Sequence, residues 1–273
     1  MKRVWLRQIT GVIGLEWKKT FLSRRGWWVY LMVLAPVGLN LMHSLVALRG
    51  FRSHSVFQDS QIFAGEFEGY FLHLGIFFGC MGIFSNLFRG EMLEKTLHYY
   101  FLTPMRRELL VIGKFLAGLI VALVLFESSA AISFWLIGRH QGAAWSEFLQ
   151  HGPGAGQMSS YLLVTALACV GYGAVFLVAG LFIRNPMIPA AVVMVWENLN
   201  PFLPSLLKKI SVIFYLKSLT PVQLNVPPPF SVLVTETDPA PAWLAVPGLL
   251  VVASLVLAYA AISARRAEIG YGE

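Results

Sequence analysis

Few residues in this 273-residue chain have the type and spacing that chemistry requires. No G-x-x-x-x-G-K-[ST] phosphate cradle occurs, so ATP cannot be held by that route. H-E-x-x-H and G-x-S-x-G are absent too, which removes the commonest metalloprotease and serine-hydrolase readings. Histidines at 43, 54, 73, 98, 140 and 151 lie scattered without ligand spacing, and no metal site is predicted from them. Cys80 and Cys169 sit in apolar runs and read as small buried hydrophobes, not as a disulfide or metal ligands. Two acids stand out by context. Glu127 falls inside a long apolar run, where a carboxylate must face a cavity, a partner or a neighbouring helix, or be protonated. It reads either as a pathway or gate contact or as a helix-packing group beside Ser128 and Ser129. Glu197, with Asn198 and Asn200, sits where another apolar run fails, and reads as part of an outer gate or as the cap of a broken helix.

The elements that must position these residues follow from composition. Hydrophobic residues make up 57% of the chain and charged residues 13%, against roughly 25% charge in an average soluble domain. With a mean hydropathy of +0.66, the chain reads as a polytopic membrane protein. The net charge of +7 comes from short basic clusters between apolar runs, a topology signal that argues against nucleic-acid binding.

A helix needs about 20 apolar residues to cross the hydrocarbon core. The sequence predicts six spans, at about 26–48, 69–88, 109–138, 160–183, 185–203 and 242–264. The fifth ends early, and five spans with a re-entrant segment is the competing count. Ile9, Ile13, Trp17 and Phe21 recur every four residues, predicting an amphipathic interfacial helix over 9–25 with Glu16, Lys18, Lys19, Arg24 and Arg25 on its polar face and the lysines and arginines toward anionic headgroups. Residues 204–241 read as an outer amphipathic or re-entrant segment ending in a loop, with Pro227 to Pro229 as a stiff connector. With the N-terminus inside, 15 of the 21 lysines and arginines fall on the cytoplasmic side, which favours both termini inside. No cleaved signal peptide is expected. Gly75 and Gly79 are spaced as G-x-x-x-G and mark a helix-packing face. Aromatic residues near span ends, Tyr70, Phe71 and Tyr161 among them, read as interfacial anchors.

The most densely charged stretch joins the second and third spans: RGEMLEKTLHYYFLTPMRRELLVIGK, residues 89–114. A short helix there, ended by Pro104 and rigidly joined to two spans, would act as a lever. The order Arg89, Glu91, Thr96-Leu97, Tyr100 to Leu102, Pro104, Arg107 and Gly113-Lys114 resembles the signature of type-2 ATP-binding-cassette (ABC) exporter permeases. The layout resembles that family over essentially the whole chain. The resemblance implies an all-α integral membrane protein of the cytoplasmic (plasma or inner) membrane, with six spans, an N-terminal interfacial helix and a cytoplasmic coupling helix. It also implies a second permease copy or related permease, surrounding membrane lipid, and a separate cytoplasmic ABC ATPase subunit. ATP and Mg would reside on that partner, with no cofactor in this chain. Carried across, Glu91, Glu94, Lys95, Thr96, Leu97, Tyr99, Pro104 and Arg107 become ATPase-coupling residues, while Arg106, Arg107 and Lys114 hold the loop at the inner headgroups. A rival from another class is a non-transporting membrane scaffold or assembly factor, which would need no coupling to ATP.

Overall fold

The computed structural model describes residues 2–22, 26–50, 54–94, 106–183, 185–224 and 238–266. Among them all regular structure is helical. Helix α1 (Lys2–Leu22) precedes α2 (Trp27–Leu48), which runs through Pro36. A continuous helical stretch follows, made of α3 (Val56–Glu66), a π-helical segment (Phe67–Gly75) and α4 (Ile76–Leu93). Then come α5 (Arg107–Ile137), a 3-10 turn (Arg139–Gln141), α6 (Ala143–Gln150) and α7 (Gly154–Phe182). The chain closes with α8 (Met187–Leu199), a 3-10 turn (Asn200–Phe202), α9 (Ser205–Lys208), α10 (Val212–Ser218) and α11 (Ala242–Arg266).

Local chemistry accounts for the boundaries. Ser55 starts α3 with a capping box: its hydroxyl accepts from the Gln58 amide, and the Gln58 side chain accepts from the Ser55 amide. Helix α5 ends at Gly138, where a Cβ would come within 2.1 Å of the Trp145 ring. Only glycine lets the short helix α6 fold back so tightly.

Helix direction is read from paired contacts. Phe63 meets Tyr161, Phe77 meets Phe176, and the backbone of Ser85 meets Gly180, so Val56–Leu93 and α7 run parallel. Phe63 against Phe134 and Leu87 against Lys114 make α5 antiparallel to both. These three form the core. In the apolar windows of Val56–Leu93 and α7, 72% and 67% of residues are buried, against 22% in α2 and 22% in α11, which therefore lie at the periphery. Small residues set the spacing. A Cβ on Gly180 would lie 2.6 Å from the Ser85 Cα, and one on Gly79 would lie 2.1 Å from the Phe126 ring. The α4–α7 and α4–α5 contacts are thus close approaches of the kind small residues permit between membrane helices.

Five helices are long and apolar enough to cross a membrane: Trp27–Leu48, Val56–Leu93, Arg107–Gln141, Gly154–Phe182 and Ala242–Arg265. Several sequence expectations change. The second span begins at Val56, 13 residues before Gly69, because the capping box and the π-helical segment continue the helix through polar residues. The expected fifth span, 185–203, holds only the 13-residue α8, about 20 Å long, which is too short to cross unaided. Gly171 lies beside Leu249 and Phe182 beside Tyr259, so α7 and α11 run parallel and the chain returns between them in pieces. Helix α8 rises, the chain breaks at Asn200–Phe202, and α10 continues beside Gly171. The supposed outer segment from 204 thus contributes α10 to the bundle, packed against α7 and α11. Tyr161 and Phe71 are buried in the core and are not interfacial anchors. Of the charged loop, residues 89–93 extend α4, while Lys95, Thr96, Leu97, Tyr99 and Pro104 lie outside the described residues.

The Ser85–Gly180 approach involves backbone on both sides and cannot relax by a rotamer change. Gly180→Ala is expected to destabilise the protein by about 1–3 kcal/mol. Gly90→Ala, where a Cβ meets nothing within 4 Å, is expected to melt at or slightly above wild type. Thermal unfolding in detergent, followed by tryptophan fluorescence, checks the pair.

Candidate functional site

The most concentrated electrostatics lies at the end of the bundle where the charged loop begins. Gly113 of α5 would place a Cβ 3.1 Å from Val12, so its lack of a side chain lets α1 lie directly across α5. Glu16 is one helical turn beyond Val12 on the same face of α1 and therefore points at the next residue of α5, Lys114. The Lys114 ammonium donates to Glu16 Oε1 at 2.5 Å and to the Leu87 carbonyl at 2.7 Å. It also pairs with Glu91 Oε2 at 2.9 Å, and Lys19 reaches Glu91 Oε1 at 3.2 Å. The Lys114 side chain is 0% exposed, and the Phe88 ring lies 5.3 Å from its charge. Two acids and two bases make the cluster formally neutral. Its ammonium sits in hydrocarbon-like surroundings only because oxygens surround it, since an unpaired buried charge costs several kcal/mol. Burial pushes the Glu16 carboxyl above its ordinary range, while Lys114 opposes that shift.

The cluster ties three helices together. Glu16 and Lys19 come from α1, Glu91 from the last turn of α4, and Lys114 from the second turn of α5. Beside it a cavity of about 310 Å³ opens between α1, α2, α4 and α5, with Glu16, Lys19, Tyr30, Asn86 and Glu94 in its lining. Across the same end, Arg107 donates to the carbonyls of Ala264 and Arg265, and Glu108 pairs with Arg265. The start of α5 is therefore also bound to the last carbonyls of α11, groups that a helix end leaves without internal partners.

The sequence-derived residues fall as follows. Glu91 is buried inside the cluster, whereas Glu94 is exposed at the end of α4. Lys114 does not reach the headgroups, and Glu16 does not lie on a solvated face; both expectations are corrected by their burial. Gly79 packs on Phe126 of α5, while Gly75 faces Tyr70 within its own π-helical turn. Glu127 is half-buried and has no hydrogen-bond partner among the described residues; its neighbour Ser129 donates instead to the Val33 carbonyl of α2 at 2.6 Å. Glu197 is buried at the break after α8. It accepts from the Ser211 hydroxyl at 2.7 Å and from the amides of Val212 and Ile213 at 3.1 and 2.7 Å. A carboxylate on two first-turn amides is an N-cap supplied from a distance.

Other polar groups were missed. The longer second span carries three further acids, Asp59, Glu66 and Glu68, besides Glu91 near its end. Asn40 donates to Glu66 at 2.6 Å, and Lys217 pairs with Glu68 at 3.2 Å. Nor are the histidines all scattered, since His43, His54 and His140 converge on Asp59. One signal was available for Lys114. A lone cation in an otherwise apolar run requires a buried acid, and Glu16 is the one acid of α1.

Parallel and antiparallel helices packed through glycines, five of them long and apolar enough to cross a membrane, define a multi-pass helical membrane protein. Residues 12–200 match a family described as ABC-2 family transporter protein, and the chain belongs to that family. It is thus a permease subunit of an ABC transporter, not itself catalytic, from a family whose members work with ABC ATPase partners. No curated protein and no solved structure matches the chain.

Lys114→Met leaves two buried carboxylates facing each other and is expected to cost about 3–5 kcal/mol. Adding Glu16→Gln and Glu91→Gln to that variant should recover most of the loss. Melting temperatures of the single and triple variants in lipid nanodiscs check this, and an unchanged melt of Lys114→Met would show that the cluster does not hold the helices.

Proposed function

We propose that this chain forms the substrate pathway of an ATP-driven exporter as a dimer and takes its power stroke from a separate cytoplasmic ATPase bound at residues 89–108. The observation that carries the reading is the buried cluster at Lys114. The segment that would be pushed leaves the bundle at Glu94, one turn beyond Glu91, and returns at Arg106, two turns before Lys114. Force applied to it reaches α1, α4 and α5 together through the cluster, and α11 through Arg107. Binding of a partner shifts a conformational equilibrium only to the extent that it contacts the two states differently. A loop anchored to four helices makes such a difference large. The apolar residues exposed on α2 and α8, Leu34, Met42, Ile188 and Val192 among them, would meet lipid or a second permease copy. The excess of basic residues at the loop end supports a cytoplasmic position for that end and for both termini.

Co-purification from the native membrane in mild detergent tests the reading. A soluble P-loop ATPase is expected with the wild-type chain, and Glu94→Lys is expected to reduce its substrate-stimulated ATP hydrolysis at least about tenfold while the permease stays monodisperse. Glu91→Lys is unsuitable, because it places a second cation against Lys114. If no ATPase accompanies the chain, and crosslinking through residues 95–105 captures none, the scaffold reading replaces this one.

A further inference from the structure

At the opposite end of the bundle, three histidines from separate segments meet around one carboxylate. His43 lies near the end of α2, His54 just before the α3 capping box, Asp59 in the first turns of α3, and His140 in the turn after α5. Asp59 is 0% exposed. His43 Nε2 lies 3.2 Å and His54 Nδ1 3.8 Å from its Oδ1, and His140 Nε2 lies 3.4 Å from its Oδ2. The donor atoms of His43, Asp59 and His140 all fall within 4.8 Å of one another. We propose that His43, Asp59 and His140, with His54 at the rim, bind one divalent transition-metal ion of the zinc type.

Donor chemistry, spacing and orientation support the site independently. Imidazole and carboxylate are the ligand types zinc takes at about 2.0–2.2 Å, and tetrahedral geometry at that radius puts neighbouring donors about 3.3–3.5 Å apart. The His43 and His140 donors lie 3.2 and 3.4 Å from the Asp59 oxygens. The His140 ring is also held as a metal ligand is held. His140 Nδ1 faces the Ile137 carbonyl at 3.1 Å, which places the proton there and aims the Nε2 lone pair inward. The His140 side chain is only 8% exposed, and its Nε2 has no hydrogen-bond partner. A lone pair facing a carboxylate oxygen inside a protein is repulsive unless a proton or a metal ion lies between them. Gln141 supplies the matching outer contact, donating to Asp59 Oδ2 at 2.9 Å and to the His54 carbonyl at 2.6 Å. His43 and His54, 22% and 21% exposed, leave a way in. An ion there would fasten α2, α3 and the end of α5, and the site stands whether or not the transport reading holds.

The test uses the full chain with a non-histidine tag, stripped with chelator, loaded with Zn2+ and gel-filtered, with metal measured by mass spectrometry. One zinc per chain is expected. His43→Gln and His140→Gln should each weaken binding at least ~100-fold, and Gln141→Ala about tenfold, the range of outer-contact changes. His73→Gln, in the π-helical segment, should leave binding unchanged. Co2+ in place of Zn2+ should show the visible bands of a tetrahedral site, lost in His140→Gln. Melting of each stripped variant confirms that it is folded. Zinc well below one per chain, equal retention by His140→Gln and His73→Gln, or Co2+ without those bands would overturn the site, leaving the histidines as proton-bearing partners of Asp59.

Discussion

The bundle depends on the solvation of one ammonium group. Lys114 lies fully buried on a helix whose neighbouring residues are apolar, and lipid offers its charge nothing. Glu16, Glu91 and the Leu87 carbonyl must therefore converge on it, and each of them fixes a different backbone. Helix α1 is held across α5, and the last turn of α4 is held beside it. The Val12–Gly113 contact belongs to the same requirement, since any side chain at 113 would lift Glu16 away from its partner. Charge here supplies register and not net stability, because exchanging a buried ion pair for apolar groups of equal shape is often neutral.

Glycine packing does for the middle of the bundle what charge does for its end. Gly79, Gly118, Gly173 and Gly180 each lie where an added Cβ would meet α4, α5 or their aromatic side chains. Phe84 fills the space above Gly173 and, with Leu87, the space above Gly118. The core helices thus interlock by shape, while α2 and α8 keep apolar faces turned outward. The third kind of contact is the remote cap. Glu197 ends one helix and starts another, so the break between α8 and α10 keeps its amides satisfied at a depth where water cannot help.

How much of this could be read beforehand follows a physical rule. Apolar runs reveal spans because hydrocarbon thickness imposes a length, and five of the six expected spans fall on helices of nearly the expected bounds or longer within the described residues. The second span was drawn short because Asp59, Glu66 and Glu68 look like a loop until partners from α2 and α10 neutralise them. For the fifth, Asn200 and Pro201 mark the early end, but composition does not show that the helix before them stops short of a full span. Site residues were the least legible. Glu91 and Lys114 stand in a recognisable motif, but their pairing depends on α1, whose sequence reads as an interfacial helix until α5 is laid against it. His43, Asp59 and His140 are far apart in the chain and meet only because α2 and α5 run parallel.

The π-helical segment at Phe67–Gly75 carries a consequence for how this sequence should be compared with others. Such segments arise where an α-helix has absorbed an extra residue, and they usually appear as short bulges near functional sites. Removing one residue between 67 and 75 would let the helix tighten and rotate α3 relative to α4 by about 100°, the turn per residue of an α-helix. Asp59 would swing away from the histidines while Glu91 stayed with Lys114. Relatives differing from this chain by a single-residue gap in that window would therefore keep one end of the bundle and rewire the other. An alignment that slides the gap into a neighbouring loop would hide that difference.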